Sequence, residues 1–94
     1  MTITAVVHTT GKHDHSFGVN DASQEAVRLS FNPAGLDDVT RLKLLACLYL
    51  TECDRILASQ RVDHANAAYH EMAVAKTHMQ TASMWAVLGA TKGL

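Results

Sequence analysis

The chain has 94 residues, of which 48 % are apolar and 18 % charged, with a formal net charge of −1. A chain of this length makes one small domain with a thin stability margin, and its near-neutral balance argues against a bulk nucleic-acid binder, which carries a basic excess. The longest strongly apolar run, Leu44 to Leu50, is far short of a bilayer span, and the N-terminus lacks the basic region and apolar core of a secretory signal.

Residues 1–30 read as an arm distinct from the rest of the chain. Thr2 to Thr10 is rich in β-branched residues and suits a short strand or an extended segment. Gly11 to Gly18 reads as a loop, from its two glycines and polar residues, and Asp21 to Arg28 as a brief helical turn. The arm has too few apolar residues for a core of its own, so it folds against something else or stays mobile. Phe31-Asn-Pro-Ala-Gly35 is a turn: proline fixes φ, Asn32 is pushed away from the helical region, and Gly35 permits positive φ. Asp37 or Asp38 then caps a helix, at whose positive end both carboxylates sit well.

That helix is expected from about Asp38 to Gln60. Val39, Leu42, Ala46, Tyr49, Cys53 and Ile56 form a heptad-like seam. Leu44, Leu45, Leu48 and Leu50 lie outside it, so the helix is apolar nearly all round and needs neighbours on more than one side. Cys47 and Cys53 point apart on one helix and lie too far apart for a mutual disulfide. They read as reduced, buried thiols of a cytoplasmic protein.

A short polar connection, Ser59 to Asp63, favours an antiparallel partner, with Asp63 as its cap and a second helix from about His64 to Thr91. Met72, Ala75, Met79, Ala82, Ala86 and Gly89 form its seam. Thr77, Thr81, Met84, Leu88 and Thr91 form a second stripe that one hairpin partner cannot cover. Contacts between protomers on that stripe are the natural resolution, and a short chain with few charges points the same way. The reading is an all-α, two-helix antiparallel hairpin (residues 31–94) in a homo-oligomeric helical assembly, with an extended or short-strand N-terminal arm (residues 1–30).

For chemistry, His13-Asp-His15 offers metal donors, but a structural zinc site needs four and no distant partner is evident. His70-Glu71 begins a zinc-protease helix motif that fails at Val74, where the second histidine would stand. Neither a nucleophile–base pair nor a catalytic carboxylate pair can be assembled, so the chain reads as a non-enzyme without a cofactor. A metalloenzyme reading would rest on the histidines alone. An anion site is easier to build. Arg28, Arg41, Lys43, Lys76 and Lys92 are candidate cations. Phe31 can stack on a purine and Asn32 can bond its edge, while the N–H groups that open the first helix can receive a phosphate, against competition from Asp37 and Asp38. Glu71, His78, Trp85 and Lys92, spaced by sevens, line one edge of the second helix. That edge is either a half-exposed flank with the tryptophan packed beneath or the wall of a pocket between protomers.

Ser30-Phe-Asn-Pro-Ala-Gly35, Val39, Leu42-Lys43, Ala73-Val-Ala-Lys-Thr-His78, Ala82-Ser-Met-Trp-Ala-Val87 and Ala90-Thr-Lys92 together resemble a phage helical-hairpin family, over about residues 30–93. This is the domain shared by anti-CBASS protein 2 and the first Thoeris anti-defence protein. The resemblance implies a compact homo-oligomer, typically a hexamer, in the cytoplasm of the infected bacterial host. It would act as a sponge, sequestering cyclic nucleotide immune messengers (cyclic oligonucleotides or cyclic ADP-ribose isomers) without cleaving them, and would engage neither DNA or RNA polymers nor membranes. The candidate ligand-binding residues are Phe31 for base stacking, Asn32 for a base or ribose contact, Arg41, Lys43 and Lys92 for phosphates, Thr91 for a hydroxyl contact, and Pro33 and Trp85 beside them. The alternative is a structural or protein-interaction helical oligomer with no small-molecule ligand.

Overall fold

The computed structural model describes residues 3–7, 14–59 and 67–93. Its elements in chain order are β1 (Ile3–Val7), β2 (His15–Val19), α1 (Asp21–Ala26), α2 (Asp37–Ser59) and α3 (Ala67–Ala90). The two long helices pack against each other. They run antiparallel: Asp54 near the end of α2 meets Lys76 in the first half of α3, while Val39 near the start of α2 shares a groove with Val87 and Thr91. No helix among the described residues is long and apolar enough to cross a membrane.

The arm differs from expectation in one respect. His15–Val19, expected in a loop, is a strand paired antiparallel with β1, Ile3 opposite Val19 and Val7 opposite His15. Gly18 sits inside that strand, where the alternation of Phe17 and Val19 outweighs the turn signal of a single glycine. Residues 8–13, with the remainder of the expected loop, lie outside the described residues. Of the expected connection from Ser59 to Asp63, Ser59 is the last residue of α2 and the rest lies outside the described residues, as do the cap at Asp63 and the start of the second helix at His64.

The expected turn at Asp21–Arg28 is helix α1. Asn20 caps it, its Oδ1 accepting from the Ser23 N–H at 2.8 Å. The helix ends with Arg28 in the left-handed region, φ 54°. The Leu29 N–H reaches the Gln24 carbonyl and the Arg28 N–H the Glu25 carbonyl. These two bonds define a Schellman cap, in which glycine normally takes the position Arg28 holds here.

The arm lacks its own core and completes another. Val19 and Val27 are buried with Ala46, Cys47 and Leu50 of α2, and Leu29, Leu44, Leu48 and Met79 close around them. The buried stripe of α2 is therefore Val39, Lys43, Ala46, Cys47, Leu50 and Cys53. This is turned from the expected seam: Tyr49, placed inside it, is 45 % exposed, and Leu50, placed outside it, is 1 % exposed. The cause is lateral. β2 and α1 pack on α2 as α3 does, and Val19 and Val27 draw the buried face toward Cys47. Both cysteines are free and buried, and the Cys47 thiol donates to the Ser23 carbonyl at 3.4 Å. Burial pushes both thiols above their ordinary range.

On α3, Met72, Ala75, Met79 and Ala86 of the expected seam are half-buried, whereas Ala82 and Gly89 are exposed; Ser83 is the buried residue. In the second stripe Thr77, Thr81, Met84 and Leu88 all face outward. Trp85, packed beneath its flank in the first of the two readings of that edge, is 68 % exposed in the single chain.

One polar link ties arm, α2 and α3 together. Asn20 Nδ2 donates to Asp54 Oδ2 at 2.9 Å and Lys76 Nζ to Asp54 Oδ1 at 2.6 Å, while the Asn20 N–H donates to Thr51 Oγ1. Burial by itself would raise the Asp54 carboxyl. The hydrogen bonds from Lys76 and Asn20, with the Lys76 charge, outweigh it and hold the group below the ordinary aspartate range. A carboxylate lowered in the folded state stabilises fully above its unfolded value, about 3.9. That contribution is lost as pH falls through the folded value. Asp54→Asn should therefore lose about 1–3 kcal/mol at neutral pH. Thermal melts of the variant should decline less than those of the wild type as pH drops below about 4.

Candidate ligand-binding site

The turn between α1 and α2 is built by its own side chains. The Gly35 N–H bonds the Asn32 carbonyl at 2.9 Å, with Pro33 and Ala34 between, and Gly35 takes φ 65°. Asp37 and Asp38, expected as caps, fall within the first turn of α2. The segment before the helix is instead held by Asn32. Its Oδ1 accepts from the Leu36 N–H at 3.2 Å, and its Nδ2 donates to the Leu36 carbonyl at 2.7 Å and to Thr40 Oγ1 at 3.0 Å. The reason is position: the chain enters the helix through Leu36, which has no side-chain oxygen, and the asparagine four residues earlier pins that entry residue by both its N–H and its carbonyl. Asn32 is thus a turn-forming residue first, with both donors of its amide already engaged.

Lys43 is the centre of the site. It is 7 % exposed, and its ammonium donates to the Arg28 carbonyl at 2.9 Å and to the Phe31 carbonyl. Burial, and then the nearby Arg28 charge, hold it below the usual lysine range. The same ammonium lies 5.6 Å from the centre of the Phe31 ring, and the Arg28 guanidinium lies 4.5 Å from that centre. Phe31 is 52 % exposed. Two cations therefore lie near one half-exposed aromatic ring, and the residue that carries one of them, Arg28, sits in the left-handed backbone region. Among the described residues Arg28 has no carboxylate partner.

Two grooves meet at Phe31 and Lys43. One, about 280 Å³, runs past Asn32, Pro33 and Val39 to Val87 and Thr91 at the end of α3. The other, about 310 Å³, opens between α1, α2 and α3 past Arg28, Gln80, Ser83 and Met84. No carboxylate among the described residues lines either of them.

Five of the eight expected residues, Phe31, Asn32, Pro33, Lys43 and Thr91, thus share one groove. The end of α3 reaches the Phe-Asn-Pro turn within a single chain. The Thr91 hydroxyl is engaged with the Val87 and Leu88 carbonyls. Arg41 lies apart, beside Leu44, Leu45 and Leu48, and Trp85 and Lys92 are exposed on α3 and its end, outside these grooves. Arg28 is the residue that sequence reasoning undervalued. It was one cation among several, and its signal, an arginine at the glycine position of a helix cap, is visible only once the end of α1 is fixed. Of the histidine cluster, His15 is exposed at the start of β2 and His13 lies outside the described residues. Among the described residues no three His, Cys, Asp or Glu side chains gather as metal ligands would.

Fold and site together define a small helical-hairpin protein with a β-hairpin arm and a cationic, aromatic-centred cleft. Comparison with protein-family models, with curated proteins and with solved structures finds no match.

Proposed function

We propose that the protein is a sponge that binds cyclic nucleotide messengers of bacterial immunity and sequesters them without cleavage, acting in the cytoplasm of a phage-infected host. The observation that carries this reading is the Arg28–Phe31–Lys43 cluster: a half-exposed aromatic ring with two cations near it, beside two grooves that no described carboxylate lines and a third, toward α1, that Asp21 and Glu25 share. Such a site suits a compact anion that carries a flat base. The motif resemblance to the phage hairpin family supports the same ligand class.

The functional unit in this reading is a homo-oligomer, a hexamer. Met84, Trp85, Leu88 and Val74 on the outer side of α3, and Leu45 and Tyr49 on α2, are large apolar side chains left exposed. Apolar surface gathered along helices in this way suits contact between protomers. That observation also favours the second reading, a structural or protein-interaction oligomer with no small-molecule ligand.

Native mass spectrometry with cyclic dinucleotides, cyclic trinucleotides and cyclic ADP-ribose isomers separates the two. The sponge reading expects one multimeric species that takes up ligand and, after heat denaturation, returns it with its mass unchanged. A multimer that retains none of them would leave the interaction module standing, and a recovered ligand of altered mass would point to a hydrolase.

A further inference from the structure

We infer that the groove between α1, α2 and α3 is a base-reading subsite, in which Gln80 and Ser83 recognise the polar edge of an adenine-type base. This rests on the nucleotide-binding reading and adds to it residues that lie outside the Phe31–Thr91 groove. The groove holds about 310 Å³, the small end of ligand pockets and enough for one nucleotide unit. Met84 and Val87 give it apolar surface, and Arg28 and Phe31, the guanidinium 4.5 Å from the ring centre, also line it.

Its polar groups are those left without partners. Ser83 is 7 % exposed, yet its hydroxyl makes no hydrogen bond among the described residues. No fully buried side-chain oxygen or nitrogen among the described residues is without a partner, so this hydroxyl remains accessible, and the groove it lines is the route to it. The half-buried Gln80, one turn before it on α3, also has a carboxamide with no partner among the described residues. Both groups therefore bring unused hydrogen-bonding capacity to the groove, which a ligand can take up in place of water. A glutamine carboxamide presents a donor and an acceptor side by side, which matches the adjacent amino group and ring nitrogen of adenine. The serine hydroxyl, donor and acceptor at once, takes a further ring nitrogen. Lys43 and Arg28 at the edge leave the phosphate side electropositive.

The test is isothermal titration of wild type, Gln80→Leu and Ser83→Ala with cyclic di-AMP, cyclic tri-AMP and cyclic ADP-ribose, and with the N6,N6-dimethyladenine analogue of whichever binds. Gln80→Leu is expected to weaken binding at least tenfold, and Ser83→Ala severalfold. For the wild type the dimethyl analogue should be weaker by a factor similar to that of Gln80→Leu. Combining variant and analogue should add little, since both remove the same contact. The analogue leaves the protein untouched, so it answers even if a variant folds poorly. Wild-type binding that is indifferent to the analogue, or losses that simply multiply, would overturn the subsite while leaving the sponge intact. No binding by any of the three adenine ligands would overturn the subsite together with adenine-nucleotide binding itself.

Discussion

Leu50→Ala should lower the thermal midpoint by roughly 10–30 °C, the largest stability loss expected from any single truncation. Leu50 and Cys47 are the largest fully buried side chains among the described residues. Leu50 also stands where α1, α2 and α3 converge, sharing a small recess with Ser23 and Ala26 on one side and Lys76 and Gln80 on the other. Removing a buried leucine costs about 2–5 kcal/mol, through lost transfer energy and the cavity left behind. For a domain under about 100 residues each kcal/mol is worth roughly 4–8 °C. Few other side chains are available to fill the gap, because the core is Val19, Val27, Ala46, Cys47 and Leu50 with a handful of half-buried neighbours. Total stability for this length is on the order of 5–14 kcal/mol, so a large share of it rests on one residue. Tyr49→Ala, one position earlier and 45 % exposed, should shift the midpoint by only a few degrees. If differential scanning calorimetry ranked the two the other way, the core would be the heptad seam and not the stripe centred on Cys47.

That contrast marks the limit of what the sequence could disclose. Periodicity was sufficient for the two long helices and their antiparallel pairing, because their apolar residues recur over several turns. It could not choose which apolar stripe of α2 is buried, because Leu42, Leu45, Leu48 and Leu50 make every side plausible. The choice is made by β2 and α1, whose contributions, Val19 and Val27, are single residues too sparse to signal a packed layer. β2 itself was hidden by Gly18 and by two histidines and an aspartate that resemble loop composition. Only pairing with β1 overrides that local preference.

The site was legible in its materials and not in their assignments. Phe31, Asn32, Pro33, Lys43 and Thr91 do converge, because the turn and the end of α3 lie at the same end of the hairpin. Their roles were misjudged wherever the backbone makes the first demand: Asn32 holds the entry to α2, Lys43 binds two carbonyls, and the Thr91 hydroxyl returns to its own helix. The Arg28 and Phe31 carbonyls that converge at the α1 exit are invisible in sequence, yet they determine where the Lys43 ammonium points.

Arg28→Gly should separate binding from stability more sharply than any other change at the site. Glycine is the residue a left-handed cap position prefers, and a non-glycine residue there costs about 1 kcal/mol. Against that, the variant loses a cation–π contact worth about 0.5–1 kcal/mol at an exposed ring. The two nearly cancel, so the melting temperature should stay within a few degrees of wild type or rise slightly. Ligand affinity should fall about 10- to 150-fold, because a charge-assisted hydrogen bond from a guanidinium with no carboxylate partner among the described residues is worth about 1.5–3 kcal/mol. Phe31→Ala should follow the same pattern. Its ring is half exposed and outside the core cluster, so little stability is lost, while stacking of a base on an aromatic ring is worth about 1–3 kcal/mol. The two losses should not add fully, since removing the ring also removes the surface that orients Arg28. Titration of both single variants and the double variant with cyclic di-AMP, alongside thermal melts, gives all of these quantities. If Arg28→Gly gained stability with no loss of affinity, the arginine would be an accident of sequence and the ligand would have to be sought away from Phe31.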